Sequence, residues 1–113
     1  MTRDIWSEIL EKRLSEIVNT LNNKSKEYAS EKDVMHNFKR AATIADCTPE
    51  RALFGFMLKH FTSVLDLIDN LDKFKTPSEE LVNEKLGDLI NYCILLEGLL
   101  KERIENNKPV NLV

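Results

Sequence analysis

Glycine and proline are scarce in this chain, and their scarcity restricts the fold more than any other feature of the sequence. Only three residues of each type occur among 113. Sheets built from many short strands need more turn residues than this, and collagen-like or low-complexity chains have a different composition. The sequence therefore predicts an all-α protein, with one domain over residues 1–105 and a flexible tail over residues 106–113.

Four segments have the apolar periodicity of amphipathic helices. The predicted helices span residues 3–22, 31–45, 49–73 and 77–103. The polar residues 24–30 are expected to form a loop or a frayed helix end, with Ser30 capping the second helix. The short connection before the fourth helix favours an antiparallel pair for helices three and four. The pattern as a whole predicts a four-helix domain.

Two of the prolines stand where helices are expected to begin. Thr48 is a favourable N-cap, and Pro49 suits the first helical position after it. Thr76 and Glu79 have the spacing of a capping box around Pro77. These signals fix the expected starts of the third and fourth helices.

All three glycines lie inside predicted helices, where each costs about 1 kcal/mol relative to alanine. Gly55 borders a polar stripe on the third helix, and Gly87 and Gly98 share one side of the fourth. A glycine lets a neighbouring group approach a helix backbone closely. We therefore expect the glycines to mark a pocket or a seam between subunits.

Charge and hydropathy argue against several classes of partner. An isoelectric point near 5.4, with scattered basic residues, argues against binding to nucleic acid. No run of 18 apolar residues occurs, so no membrane span is expected, and the charged N-terminus does not resemble a signal peptide. A cytoplasmic location is therefore expected. Cys93 is expected to be a buried thiol, because it lies in an apolar helical stretch.

Polar residues form stripes on the two long apolar helices. Lys59, Ser63 and Asp66 share one face of the third helix. The corresponding stripe of the fourth helix carries three polar residues, with Tyr92 beside them: Glu84, Asp88 and Asn91. Carboxylates on facing helices are typical Mg²⁺ ligands, so Glu84, Asp88 and Asp66 are the predicted metal site, and Lys59 the phosphate contact. The same spacing is also typical of a solvated helix face.

A second group of residues is suited to holding a base. Tyr28, Asn37 and Phe38 combine aromatic rings with an amide, which can stack on a base and hydrogen-bond to it. The alternative is that Phe38 belongs to the core and Asn37 to the surface. His60 lies beside Lys59 toward the apolar side of its helix, where it is either a core-edge residue or a nucleotide contact. Ser63, Asn91 and Tyr92 complete the predicted nucleotide-binding set.

Several of these segments together resemble a known family. The motifs are KSKEY at residues 24–28, HNF at 36–38, TPE at 48–50, LKH at 58–60 with Ser63 and Asp66, and EKLGDLINY at 84–92. They resemble small phage and prophage proteins related in pattern to the MazG-like all-α nucleoside triphosphate pyrophosphohydrolases, including domains associated with nucleotide modification. The resemblance covers residues 15–103. It implies a four-helix core, a homo-oligomer (dimer or tetramer), Mg²⁺ as cofactor, and a host-cell cytoplasm as location.

The resemblance also implies a set of metal-binding acids. In the enzymes, one helix carries an ExxE pair and the next an ExxD pair. Asp88 matches the final acid, whereas Lys85 stands at the partner position and Glu84 lies one residue earlier. The third helix offers Asp66 and Asp69 without an ExxE pair. The chain therefore departs from the enzymes at metal positions.

Three functions are compatible with these residues. The first is Mg²⁺-dependent hydrolysis of a (deoxy)nucleoside triphosphate to a monophosphate and pyrophosphate. The second is non-catalytic nucleotide binding by a signal-sequestering or regulatory homo-oligomer, which the departures at the metal positions suggest. The third is a purely structural helical oligomer, suggested by the largely apolar residues 86–100.

Overall fold

The structure, a computed structural model, describes residues 1–27 and 33–109, with residues 24–27 described by their backbone alone. Across these residues the chain forms four helices and no strand, which confirms the all-α prediction. The helices are α1 (Arg3–Glu27), α2 (His36–Ala45), α3 (Pro49–Asp72) and α4 (Glu79–Asn106).

The ends of the first two helices differ from those predicted. α1 continues to Glu27 rather than ending at residue 22. The polar residues 24–27 include neither glycine nor proline, so nothing in them stops a helix. α2 begins at His36 rather than residue 31, after a turn in which Asp33 Oδ1 accepts a hydrogen bond from the Met35 amide at 2.9 Å. The predicted cap, Ser30, lies outside the described residues.

The start of α3 is confirmed, and the predicted start of α4 is wrong. Thr48 Oγ1 accepts a hydrogen bond from the Arg51 amide at 3.1 Å, with Pro49 in the first turn. At α4 the cap is Ser78, whose hydroxyl accepts from the Leu81 amide at 3.1 Å, so the Thr76 capping box does not form. Ser78 is also a favourable N-cap, and it leaves two glutamates in the first turn, where the helix dipole favours negative charge.

The long helix α4 is flanked by α3 and α1. Arg103, near the end of α4, forms a bidentate ion pair with Glu50, near the start of α3, with both contacts at 2.8 Å. This pair confirms that α3 and α4 are antiparallel. Arg13 of α1 donates to the Asn83 carbonyl of α4 at 3.0 Å. The helix α2 packs against α3, and α1 packs against α4 alone among the described helices.

The core lies at one end of this arrangement, where α2, α3 and α4 meet. Its buried members are Met35, Leu53, Met57 and Leu99, and Leu53 is completely buried. Five half-buried side chains pack around them: Phe38, Leu89, Tyr92, Leu95 and Leu96. Among the residues that the structure describes, the core is therefore small and is made without α1.

Many apolar residues expected in the core are exposed instead. Every residue from 1 to 12 is exposed, including Ile5, Ile9 and Leu10 of the predicted α1 stripe. Phe61 and Leu65 of α3 are exposed as well. The apolar periodicity thus predicted the helices correctly. Among the described residues, however, too few helices pack against α1 and α3 to cover their apolar faces.

Two further expectations concern surface chemistry. Cys93 is exposed rather than buried, because an apolar helical stretch does not show which of its faces another helix covers. In the described parts of the chain, no helix has the length and hydropathy to cross a bilayer.

Candidate functional site: an aromatic cavity

Residues from all four helices surround a cavity of about 510 Å³. Its aromatic lining consists of Phe38 from α2, Phe56 from α3 and Tyr92 from α4. Asn37 and Glu97 add polar groups to the lining. Its aliphatic lining includes Leu21, Val34, Met35, Ile94 and Leu95. The cavity therefore combines flat apolar surfaces with a few hydrogen-bonding groups.

The aromatic rings pack edge to face. The centroid of Phe38 lies 6.2 Å from that of Phe56, with the planes 65° apart. It lies 6.4 Å from that of Tyr92, with the planes 74° apart. These are favourable ring geometries, and they fix the orientation of Phe38 between α3 and α4.

The structure brings together two predicted base contacts and one predicted stripe residue. Asn37 and Phe38 line the cavity, as does Tyr92, which the sequence placed in a separate group on α4. Phe38 also packs against the core, so its two predicted roles coincide. The third predicted base contact, Tyr28, lies outside the described residues.

A second ring contact connects the cavity to the polar stripe. The imidazole of His60 stacks on Tyr92, with centroids 4.6 Å apart and planes 29° apart. His60 Nδ1 lies 3.7 Å from Asp88 Oδ2, which is an ion-pair distance when the imidazole is protonated and is too long for a hydrogen bond. His60, Asp88 and Tyr92 therefore form a continuous row beside the cavity.

The predicted magnesium ligands do not converge. Glu84 Oε1 lies 3.9 Å from the ammonium of Lys85, Asp88 is directed to His60, and Asp66 is exposed on α3. Within residues 1–23 and 33–109, no three acidic, histidine or cysteine side chains form a group that could hold a metal ion. The three predicted ligands thus do not form one group within a single copy, and a Mg²⁺ site with one or two of these carboxylates stays a prediction.

The remaining stripe residues have local roles. The Ser63 hydroxyl donates to the Lys59 carbonyl of its own helix at 3.1 Å, and Lys59 is exposed. Asn91 is buried, and its Oδ1 accepts no hydrogen bond from the described residues. An unsatisfied buried oxygen costs roughly 1–3 kcal/mol, so Asn91 is the stripe residue with most to gain from a further donor.

Of the three glycines, Gly98 lines the cavity, as expected, whereas Gly87 meets only a side chain of the same copy. A Cβ on Gly98, which lines the cavity, would lie 2.7 Å from Met35 Cε, and one on Gly87 would lie 2.6 Å from Arg13 Nη1. A Cβ on Gly55 would have nothing within 4 Å, so Gly55 marks no close approach. Two glycines of α4 therefore admit neighbours, one of them at the cavity.

An ion pair connects α2 to α4 near the cavity. The ammonium of Lys39 binds both Asp33 and Glu102. The hydrogen bond from Lys39 holds the pKa of the Asp33 carboxyl below its usual range. The hydrogen bonds that Lys39 donates to Asp33 and Glu102 hold the pKa of Lys39 above the usual value for a lysine. The turn carrying Met35, which lines the cavity, is thereby anchored to the fourth helix.

Sequence patterns alone did not identify several lining residues. Phe56 and Leu95 look like ordinary apolar helix positions, and only the crossing of three helices places them around one space. Gly98 is the exception, since a glycine within a helix was already a sign of close approach.

Comparison with known proteins gives no assignment. No family model, no curated protein and no solved structure matches this chain. The MazG-like resemblance therefore stays a prediction that rests on the motifs of residues 24–92.

Proposed function

We propose that this chain is a non-catalytic binding protein for a nucleotide, whose base enters the aromatic cavity. The observation that carries the proposal is the meeting of Phe38, Phe56 and Tyr92 around one space, with Asn37 and Glu97 on its wall. Aromatic faces and edges favour a flat heteroaromatic ring. The amide donates and accepts hydrogen bonds, whereas the carboxylate accepts only, so the two can bind different groups on a base edge.

The dimensions of the cavity suit such a ligand. Its volume of about 510 Å³ falls in the range of roughly 300–1,000 Å³ that small-molecule sites occupy. Its wall is mainly apolar with few polar groups, which is the usual composition of a ligand pocket. The row from Tyr92 through His60 to Asp88 leads away from the cavity along the polar stripe. We assign the phosphates of the nucleotide to Lys59, the predicted contact, and not to Asp88, whose carboxylate repels a phosphate.

Binding is favoured over hydrolysis by the positions of the acids. Glu84, Asp88 and Asp66 do not form a metal-holding group in one copy. Lys85 occupies the position at which the resembling enzymes have an acid, and its ammonium lies 3.9 Å from Glu84. Mg²⁺-dependent release of pyrophosphate is the second proposal, with Glu84, Asp88 and Asp66 as the predicted metal ligands.

Calorimetric titration with a panel of nucleoside mono-, di- and triphosphates and cyclic nucleotides tests the proposal. We expect at least one nucleotide to bind with a 1:1 stoichiometry per chain. The variant Ile94→Trp places a larger ring at the cavity wall and should abolish binding. Ile104→Trp is the matched control, because Ile104 is an exposed apolar residue on the same helix that does not line the cavity.

The outcomes separate the candidate functions. Binding without loss of ligand supports the binding protein, whereas release of pyrophosphate with Mg²⁺ that stops in Asp88→Ala supports the hydrolase. If no nucleotide binds, both proposals fail and the structural oligomer is the alternative left. Binding that survives Ile94→Trp unchanged would move the site away from the cavity.

A further inference from the structure

The helix α3 carries a second apolar row, on a face that no described helix covers. Its members are Phe54, Leu58, Phe61, Leu65 and Ile68, which we call the outer seam. They recur at alternating intervals of four and three residues, the spacing by which two helices pack along a shared line. The buried residues Leu53, Met57 and Leu67 form a different row, which faces the interior.

The outer seam is exposed along its whole length. Its five side chains are between 38% and 55% exposed. Soluble monomers rarely leave so long a contiguous apolar strip in water. α3 therefore has two apolar faces, of which the described helices cover one.

The chain as a whole exposes more surface than a compact monomer does. It has an accessible surface of 8968 Å², whereas a compact monomer of 13.1 kDa has about 6,400 Å². Its radius of gyration is 17.7 Å, against about 13 Å for a compact chain of this length. The excess of roughly 2,600 Å² includes the exposed residues 1–12 of α1 as well as the outer seam, and it leaves room for the roughly 800 Å² that each partner buries in a standard interface.

We propose that a second copy of this chain covers the outer seam, with the two α3 helices packed antiparallel about a two-fold axis near Phe61. The charges at the two ends of the outer seam favour antiparallel packing. Arg51 lies three residues before Phe54, at one end of the outer seam. Asp69 and Asp72 follow Ile68, at the other end. Antiparallel packing brings the basic end of each copy to the acidic end of the other, whereas parallel packing sets Arg51 against Arg51.

The proposed interface lies on α3, whereas the largely apolar residues 86–100 suggested an oligomer built on α4. Leu89 of α4 packs against the chain's own core, so that helix has less apolar surface to offer. The inference goes beyond the proposed function, because the seam does not include the residues that line the cavity. Either proposal can therefore fail without the other.

Sedimentation equilibrium of the whole chain tests the dimer. At about 100 µM the wild type should be a dimer, since interfaces of standard size bind in the micromolar range or tighter. Leu65→Asp places a charge in the seam and should weaken the dimer at least about 100-fold. Ile44→Asp is the control, since Ile44 is a still more exposed apolar residue on α2, and this variant should remain dimeric.

Charge reversal at the two ends of the seam tests the orientation. Because the Arg51 guanidinium lies over the ring of the seam residue Phe54, 6.0 Å from its centroid, recovery in the triple variant is the result that decides. Arg51→Glu alone, and Asp69→Lys with Asp72→Lys, should each weaken the dimer about 2- to 10-fold, and the triple variant should restore it. Both changes suit the helix dipole, so a weaker dimer would not reflect a weaker helix. Circular dichroism verifies that every variant is helical. A monomeric wild type, or a dimer that Leu65→Asp leaves intact, overturns the proposal, and a triple variant weaker than either parent overturns the antiparallel orientation.

Discussion

The imidazole of His60 stacks on the ring of Tyr92, with 4.6 Å between the centroids. Tyr92 also lines the cavity and meets Phe38 edge to face. His60 Nδ1 also lies 3.7 Å from Asp88 Oδ2 of the α4 polar stripe, so this stripe and the aromatic cavity, which look independent in the sequence, are connected through His60 and Tyr92. The stack on Tyr92 makes His60 a positioning residue for the proposed base site.

His60→Ala should weaken ligand binding about 2- to 10-fold, because an aromatic pair contributes roughly 0.5–1.5 kcal/mol beyond its buried area. His60→Phe keeps the ring and should bind nearly as well as the wild type. Calorimetry on both variants measures the difference. Equal, weakened binding by the two variants would show that the imidazole acts through its charge rather than through the stack.

Gly55→Ala should stabilise the protein by roughly 0.5–1 kcal/mol, because alanine favours a helix and the new methyl group meets nothing within 4 Å. Gly98→Leu should instead abolish ligand binding, since its side chain must occupy space beside Met35 at the cavity. Thermal unfolding and calorimetric titration of the two variants make the comparison. A loss of stability in Gly55→Ala would show that something covers that position.

Leu53→Ala should destabilise the chain by roughly 2–5 kcal/mol, because Leu53 is completely buried and its truncation leaves a void. The core has few members, so this loss is a large part of the total stability. Ile104→Ala, at a position 63% exposed, should change stability by less than about 0.5 kcal/mol. Urea unfolding measures both changes in stability, provided that the free energy of unfolding depends on urea concentration with the same slope in each variant. A small effect at Leu53 would contradict the assigned core.

The Glu50–Arg103 pair should contribute stability that is lost in acid. The hydrogen bond from the Arg103 guanidinium holds the pKa of Glu50 below its ordinary value of 4.5. The folded state therefore favours the ionised carboxyl, and the contribution is fully present above pH 4.5 and declines as the pH falls through the lowered pKa. The free energies of unfolding of wild type and Arg103→Met, measured from pH 7 to pH 3, should converge toward low pH. A constant difference would show that Arg103 acts by packing alone.

Local signals predicted local structure well. The Thr48 cap with Pro49 was predicted correctly because a helix start depends on neighbouring residues. The start of α4 was misplaced because Thr76 and Ser78 are both competent caps, and sequence alone does not rank them. The end of α1 was misplaced for a related reason, since residues 24–27 contain no helix breaker.

The site could be predicted only in part. Asn37, Phe38 and Tyr92 were identified by chemical type, whereas Phe56 joins them only through the crossing of α2, α3 and α4. The three predicted metal ligands do not form one group among the described residues, because helical periodicity places acids on a face without saying which neighbour that face meets. For the same reason, the apolar periodicity of α3 did not distinguish its buried row from its outer seam.

An NMR titration of isotopically labelled protein with the nucleotide panel tests the central claim most directly. The backbone amides of Phe38, Phe56, Tyr92 and Gly98 should shift together and saturably with at least one nucleotide, while those of α1 residues 3–12 should not. The absence of a saturable shift with any nucleotide, or shifts confined to residues away from the cavity, would contradict the claim that the aromatic cavity binds a base.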